Sequence, residues 1–269
     1  MKNVSYSIIK KLRKRTGIGI LECKNEIINT KGNIKEAIFN LRKRGIIKAE
    51  EKKINKTNNG IILSSIKNNF GVILEIKCQT DFVSKSEYFK KFGKKILKYS
   101  IKNFCKNINK IKKVFEKDRI KLLNKVNENI LINRFYYISG KNIYSYVHCN
   151  RIGVLISAYS KNNYKNFNID ENILKQIAMH IIAKKPKYLT FKDIPKETID
   201  KEIIIHSELT KKLKKPVKYF NIIVKGKVKK FFSKLILMEQ NFAIDEKKTI
   251  DQFTKENNIV IENFIRLEI

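Results

Sequence analysis

The stretch Ile76–Glu87 reads IKCQTDFVSKSE. A strand-like apolar run ends in it, an acid and a large aromatic follow, and helix-forming residues begin. Upstream, Gly60–Ile66 and Val72–Cys78 are β-periodic runs joined by KNNFG, in which Asn68 and Asn69 suit a tight turn. Downstream, Ser84 and Glu87 have the spacing of a capping box, and Phe89, Phe92, Ile96 and Tyr99 recur at helical spacing. A strand hairpin feeding a capped helix is the unit of an α+β fold with antiparallel sheets. It leaves Thr80–Val83 as a short connection presented between two held flanks. Two readings of Phe82 stay open on these residues. The ring folds back as a staple beneath the helix while Asp81 caps the turn, or it projects as an anchor for a partner's pocket, with the acid acting on charged groups nearby.

The rest of the chain has the same mixed character. Residues 4–45 read as three short helices: Val4, Ile8, Ile9 and Leu12 mark the first, and Leu21, Ile27 and Ile28 the second, which Gly32 ends. In the third, Asn33 caps a stripe of Ile34, Ala37, Ile38 and Leu41, and Gly45 supplies a left-handed stop. Residues 46–59 read as a helical extension fraying into a linker. Further on come a helix near 112–124, a strand near 130–138, a hairpin of Asn142–His148 with Ile152–Tyr159, and a helix near 170–183 stopped by Pro186. Two lysine-rich helices around Pro216, near 196–213 and 217–232, form an antiparallel hairpin, and Ile259–Ile269 is a strand with imperfect alternation.

Composition bounds the function. The 269 residues are 42% hydrophobic, with 16 Phe and 11 Tyr, enough to build a core rather than a disordered chain. No apolar run has the length of a membrane span and the start has no signal-peptide core, so a soluble cytoplasmic protein is expected. Cys23, Cys78, Cys105 and Cys149 are scattered singly and encode neither a zinc site nor a disulfide framework. A P-loop, a dinucleotide fingerprint, a histidine pair at metal-ligand spacing and a nucleophile elbow are all missing, so no catalytic residue, metal or cofactor is expected. His180 reads as a core-edge histidine and His148 as a hairpin-turn residue.

The net charge of +34 suggests a polyanion partner. Lys, Ile and Asn are abundant together, however, while Ala, Gly and Pro are scarce, as base-composition drift in an A/T-rich genome would produce. Either origin gives weak nonspecific attraction to nucleic acid at low salt. It motivates the alternative reading of a basic RNA- or ribosome-binding protein.

The segments LRKRTGIGILECKNEI (Leu12–Ile27) and CQTDFVSKS (Cys78–Ser86) resemble the two signatures of the bacterial elongation factor Ts family. NENILINRF (Asn127–Phe135), YVHCNRIGVLI (Tyr146–Ile156), IAMHIIAKKP (Ile177–Pro186), VKKFFSK (Val228–Lys234) and NFIRLEI (Asn263–Ile269) continue the resemblance in order along almost the whole chain. The resemblance implies a guanine-nucleotide exchange factor of elongation factor Tu, acting by binding and not as an enzyme. It implies a ubiquitin-associated-like three-helix docking domain over 1–55 and a core of two α+β subdomains. Subdomain N spans 56–140. Subdomain C comprises 141–186 and 228–269, with a helical hairpin inserted at 187–227. By match, Phe82 wedges between helices of the GTPase near its magnesium and switch region, and Asp81 disturbs the groups holding the ion. Thr80 and Val83 complete that loop. His148, Val126, Asn127, Arg13 and Gly17 match further contact positions. Asn127 stands where the family usually has Gly, and Ile18 where a smaller residue is common. The chain ends just after FIRLEI, where many members continue into a short helical module, so no contact from that module is expected. Homodimers and a 2:2 complex with the GTPase both stay open.

Overall fold

The computed structural model describes residues 6–161, 169–211 and 217–269, the side chains of 217–219 apart; Val4 and Pro216 lie outside them. Helices α1 (Tyr6–Thr16), α2 (Ile20–Asn29) and α3 (Ile34–Glu51) come first. They enclose a small core of Ile9, Leu12, Ile18, Cys23, Ile27, Ala37 and Leu41. Gly32, at φ +92°, ends α2 by donating its amide to the Ile27 carbonyl, and Asn33 caps α3 by accepting from the amides of Lys35 and Glu36. Gly45 does not stop α3. The helix runs six residues further, to Glu51. A Cβ at Gly45 would lie 2.2 Å from the Asn124 amide nitrogen, so glycine here lets α3 lie close against a later helix.

Sheet A joins β1 (Asn59–Lys67), β2 (Phe70–Cys78) and β3 (Leu131–Ser139), and sheet B joins β4 (Asn142–His148), β5 (Ile152–Ser160) and β6 (Ile259–Glu268); both are antiparallel, in those orders. Asn68, at φ +51°, makes the β1–β2 turn. The outer face of sheet A is covered by α5 (Glu87–Lys102) and α6 (Ile108–Val126), with Phe89, Phe92, Ile96, Ile111, Phe115 and Leu123 in its core. The outer face of sheet B is covered by α7 (Glu171–Lys184) through Leu174, Ile177, Ala178 and Ile181. The inner faces meet through Ile62, Ile73, Ile138, Leu155 and Leu267, giving four layers of helix, sheet, sheet and helix. That is the α+β class. Burial on both faces explains why β2 is apolar from Phe70 to Leu74 without alternation. The inner faces approach closely because Gly153 has no side chain: a Cβ there would meet Ile62 at 2.5 Å and Ile73 at 2.9 Å.

A β-bulge between Ser157 and Ala158 of β5 leaves Glu262 of β6 unpaired. The extra residue is the reason for the imperfect alternation of β6. A second bulge lies at Glu75 and Ile76. Buried Glu75 accepts there from Asn133 (2.6 Å) and from two guanidinium nitrogens of Arg134 (2.6 and 2.9 Å), and Arg134 also donates to the Glu268 carbonyl at 2.7 Å. The guanidinium therefore ties sheet A to the last strand of sheet B. Helices α8 (Lys196–Lys211) and α9 (Val217–Ser233) pair antiparallel, Thr210 with Lys227 and His206 with Phe231, around Val224, Val228 and Phe232. A short helix α10 (Ile250–Glu256), unanticipated in the sequence reading, starts at a capping box of Thr249 and Gln252. No helix among the described residues is long and apolar enough to cross a membrane.

Candidate functional site

Strand β2 delivers the chain to the opening stretch, whose capping differs from the sequence expectation. Residues Asp81–Lys85 form a one-turn helix, α4, capped by Thr80, whose hydroxyl accepts from the Val83 amide. The cap of α5 is Ser86, which accepts from the Phe89 amide. Ser84 caps nothing: inside α4, its hydroxyl donates to the Asp81 carbonyl at 2.8 Å. The cause is Glu128, in the turn after α6. One carboxylate oxygen accepts from the amides of Gln79 (3.1 Å) and Thr80 (3.0 Å), and the other from the Thr80 hydroxyl at 2.6 Å. With Thr80 fixed in extended geometry, it becomes the cap and the helix starts a turn early.

Further bonds brace the base of this finger. Asn59 Nδ2 donates to the Gln79 carbonyl at 2.7 Å, and the buried Cys78 thiol donates to the Thr80 carbonyl at 3.2 Å. Burial, with Glu128 and Asp81 adding to it, pushes the Cys78 thiol up to about 12, so it stays a protonated donor. Against this braced base the Phe82 ring is 82% exposed, and it is not folded back beneath the helix. Asp81 pairs with Lys85 at 2.8 Å, which holds its carboxyl below the ordinary aspartate range. Val83 is half-buried against the core of sheet A.

The other expected positions lie on three further segments. Val126 ends α6, and Asn127 follows in the left-handed region at φ 58°. Asn is one of the few side chains other than Gly that accept this geometry. Lys52 Nζ donates to the Asn127 carbonyl and, at 2.8 Å, to its Oδ1, pinning the end of the N-terminal helices beside the finger. Gly17, at φ +75°, takes the turn after α1 and donates to the Arg13 carbonyl at 2.8 Å; the Arg13 side chain is exposed. The space over Gly17 is bounded by Lys125, whose ammonium lies 3.1 Å from the ring centroid of Tyr88, at the start of α5. His148 is exposed at the β4–β5 turn, and that turn leans on sheet A through a 2.7 Å bond from the Ile62 amide to the Asn150 carbonyl.

Thr80–Val83, Val126 and Asn127 are thus held together through Glu128. Gly17 borders the same end of α6 at Lys125, which in turn meets Tyr88, and the His148 turn is bonded to β1 rather than to the finger. The sequence reading overlooked Glu128 and Lys52. Glu128 lies inside the quoted NENILINRF segment, but nothing local announces that its carboxylate closes on residues 48 and 49 positions earlier. Among the described residues, no cluster of three or more His, Cys, Asp or Glu could hold a metal ion.

Glu128→Gln is expected to loosen the finger. An amide has one acceptor oxygen in place of two, and its NH2 would face backbone N–H groups. We expect roughly 1–2 kcal/mol of local destabilisation, read as about tenfold faster amide exchange at Thr80. Protection at Thr80 unchanged from wild type would show that Glu128 does not hold it.

The family model described as Elongation factor TS matches residues 79–269, from the finger to the end. An elongation factor Ts of Buchnera aphidicola subsp. Acyrthosiphon pisum is 45% identical over 267 residues, 99% of this chain and 97% of that protein. One from Buchnera aphidicola subsp. Cinara cedri is 42% identical, covering 99% and 96%, and one from Cronobacter sakazakii is 38% identical, covering 100% and 92%. Matches of this extent, with the finger inside the region shared with the family, make the chain a member of the elongation factor Ts family.

Proposed function

We propose that this chain is the guanine-nucleotide exchange factor of elongation factor Tu, working in the cytoplasm to promote GDP release and so recycle the GTPase for translation elongation. The observation that carries this reading is the exposed Phe82 ring on a one-turn helix whose base is bonded on every side. A free ring on a floppy loop would lose its contact energy to ordering; a ring on a braced helix arrives preorganised. Phe82 enters between helices of the GTPase, Asp81 faces the groups that hold its magnesium, and Thr80 and Val83 shape the finger. Val126, Asn127 and His148 line the flanks, while Arg13 and Gly17 belong to the docking surface of the N-terminal helices.

No bond is made or broken. The factor binds the nucleotide-free GTPase more tightly than the GDP form, and linkage makes the effect reciprocal: GDP weakens the factor as much as the factor weakens GDP. A ~10³-fold faster release corresponds to about 4 kcal/mol of this coupling carried into the dissociation barrier. Stopped-flow release of a fluorescent GDP from the GTPase tests the reading, and no acceleration at saturating protein would end it.

Asp81 is assigned to the ion and not to adhesion. Asp81→Ala should reduce the response of GDP release to added magnesium while weakening docking by no more than about threefold, because an exposed Asp81–Lys85 pair contributes little. Parallel losses in docking and exchange would contradict the assignment.

A further inference from the structure

The opposite end of sheet A carries a second surface, which the exchange reading does not use. Phe104, just after α5, is 55% exposed and sits at φ 45°, a left-handed geometry that costs a bulky side chain about 1 kcal/mol or more. Asn103, the helix cap immediately before it, is a residue type that takes this geometry far more readily. The Phe104 ring stands edge-on to buried Phe70 at 5.5 Å. Tyr137 of β3, 38% exposed, stacks on the same Phe70 at 5.8 Å, and the Lys106 ammonium lies 5.3 Å from its ring. Two accessible aromatic rings therefore share one rigid support.

Their electrostatic setting is one-sided. From Tyr88 to Phe115 the chain holds ten lysines and no acid. Lys90 and Lys95 pair with Glu87 and Asp118, and the other eight form no ion pair among the described residues. General lysine enrichment would raise cations everywhere, but it would not put a ring into strained backbone at the centre of an acid-free tract. Flat rings within a field of unpaired ammonium groups form a stacking platform for bases with charge for the phosphates.

We infer that the α5–α6 turn and the adjoining edge of β3 bind single-stranded RNA, with bases stacking on Phe104 and Tyr137 and Lys102, Lys106 and Lys110 taking phosphates. Strand β2 spans nine residues from Phe70 to Cys78, so the platform lies roughly 26 Å from the finger at about 3.3 Å per residue. RNA can occupy it while the finger is engaged.

The test is fluorescence anisotropy of a labelled oligouridylate of about twelve nucleotides with the full chain, across a salt series. Phe104→Asn is the informative variant, since it removes a ring, keeps the net charge and suits the backbone. It should bind at least about fivefold more weakly, with unfolding unchanged or slightly improved and GDP release intact. Tyr137→Phe keeps the ring and should bind as wild type. Lys106→Gln with Lys110→Gln should flatten the salt slope by about 0.7 per lost contact, whereas Lys229→Gln with Lys230→Gln on α9 should leave it unchanged. Wild-type affinity in Phe104→Asn, equal losses from the two lysine pairs, or a duplex of the same length binding as tightly would each overturn the assignment and leave only diffuse attraction to a +34 chain.

Discussion

Phe82→Ala is expected to cut the acceleration of GDP release at least about 30-fold while changing the chain's own stability by less than ~0.5 kcal/mol. The two halves of this expectation have separate causes. In the free protein the ring is 82% exposed and covers no core, and surface truncations away from caps and cores rarely move stability further. The cap that shapes α4 is Thr80, and Glu128 holds Thr80; neither depends on residue 82. At an interface, an aromatic anchor seated in a desolvated pocket is worth 2 kcal/mol or more on truncation, hence the 30-fold. Nucleotide release and a denaturant melt on the same preparation check both halves. Equal exchange by the variant removes the wedge from the mechanism; a large loss of stability would mean that the ring supports its own subunit.

Acidification should destabilise the packing around sheet B well before the neighbouring carboxylates titrate. His180 of α7 is fully buried, and both ring nitrogens are used. Nδ1 accepts from the Ala243 amide at 3.1 Å, so Nε2 carries the proton and donates to Gln240 Oε1 at 2.9 Å. Gln240 in turn donates to the carbonyls of Lys184 and Lys234. A second proton would have to displace the Ala243 bond in an apolar site. Burial therefore lowers the ring from 6.5 to about 4, with nearby Lys184 adding to it, against the opposing Gln240 bond.

A depressed histidine favours the folded state when neutral. Its contribution is full above pH 6.5, falls as the pH drops from there toward 4, and is then exhausted. The whole span is worth about 3 kcal/mol, of which about 2 kcal/mol is gone by about pH 5. Glu75, Glu116 and Glu268 also have lowered carboxyl groups, and their loss begins only at more acid pH. Above about pH 5, then, a decline in the denaturation midpoint that disappears in His180→Asn isolates the ring. An NMR titration of His180 with a midpoint near 6.5 would refute the expectation.

These arrangements divide between local and distant causes. Periodicity and turn chemistry made the β1–β2 hairpin, α5, α7 and β6 legible, because spacing, caps and turn residues act within a few positions. Asn33 capped α3 and Asn68 made its turn for that reason. The capping box at Thr249 was equally local and could have revealed α10.

Gly45 went otherwise. The local rule for glycine forecasts a stop, and its cost inside a helix is about 1 kcal/mol relative to alanine. The helix continues all the same, with Gly45 facing the Asn124 side chain, 79 residues away in sequence. Ser84 failed for a related reason: it and Ser86 are equally good caps on paper, and Glu128 decided between them by fixing Thr80.

From the chain alone came most of the element types, the α+β class and the stretch that ought to present an aromatic, since each follows from side chains a few residues apart. Only the tertiary structure decided that Phe82 stands clear of its own core, which caps hold its base, and that Phe104 and Tyr137 meet over Phe70. Those outcomes depend on contacts between residues tens of positions apart, and local spacing carries no information about them.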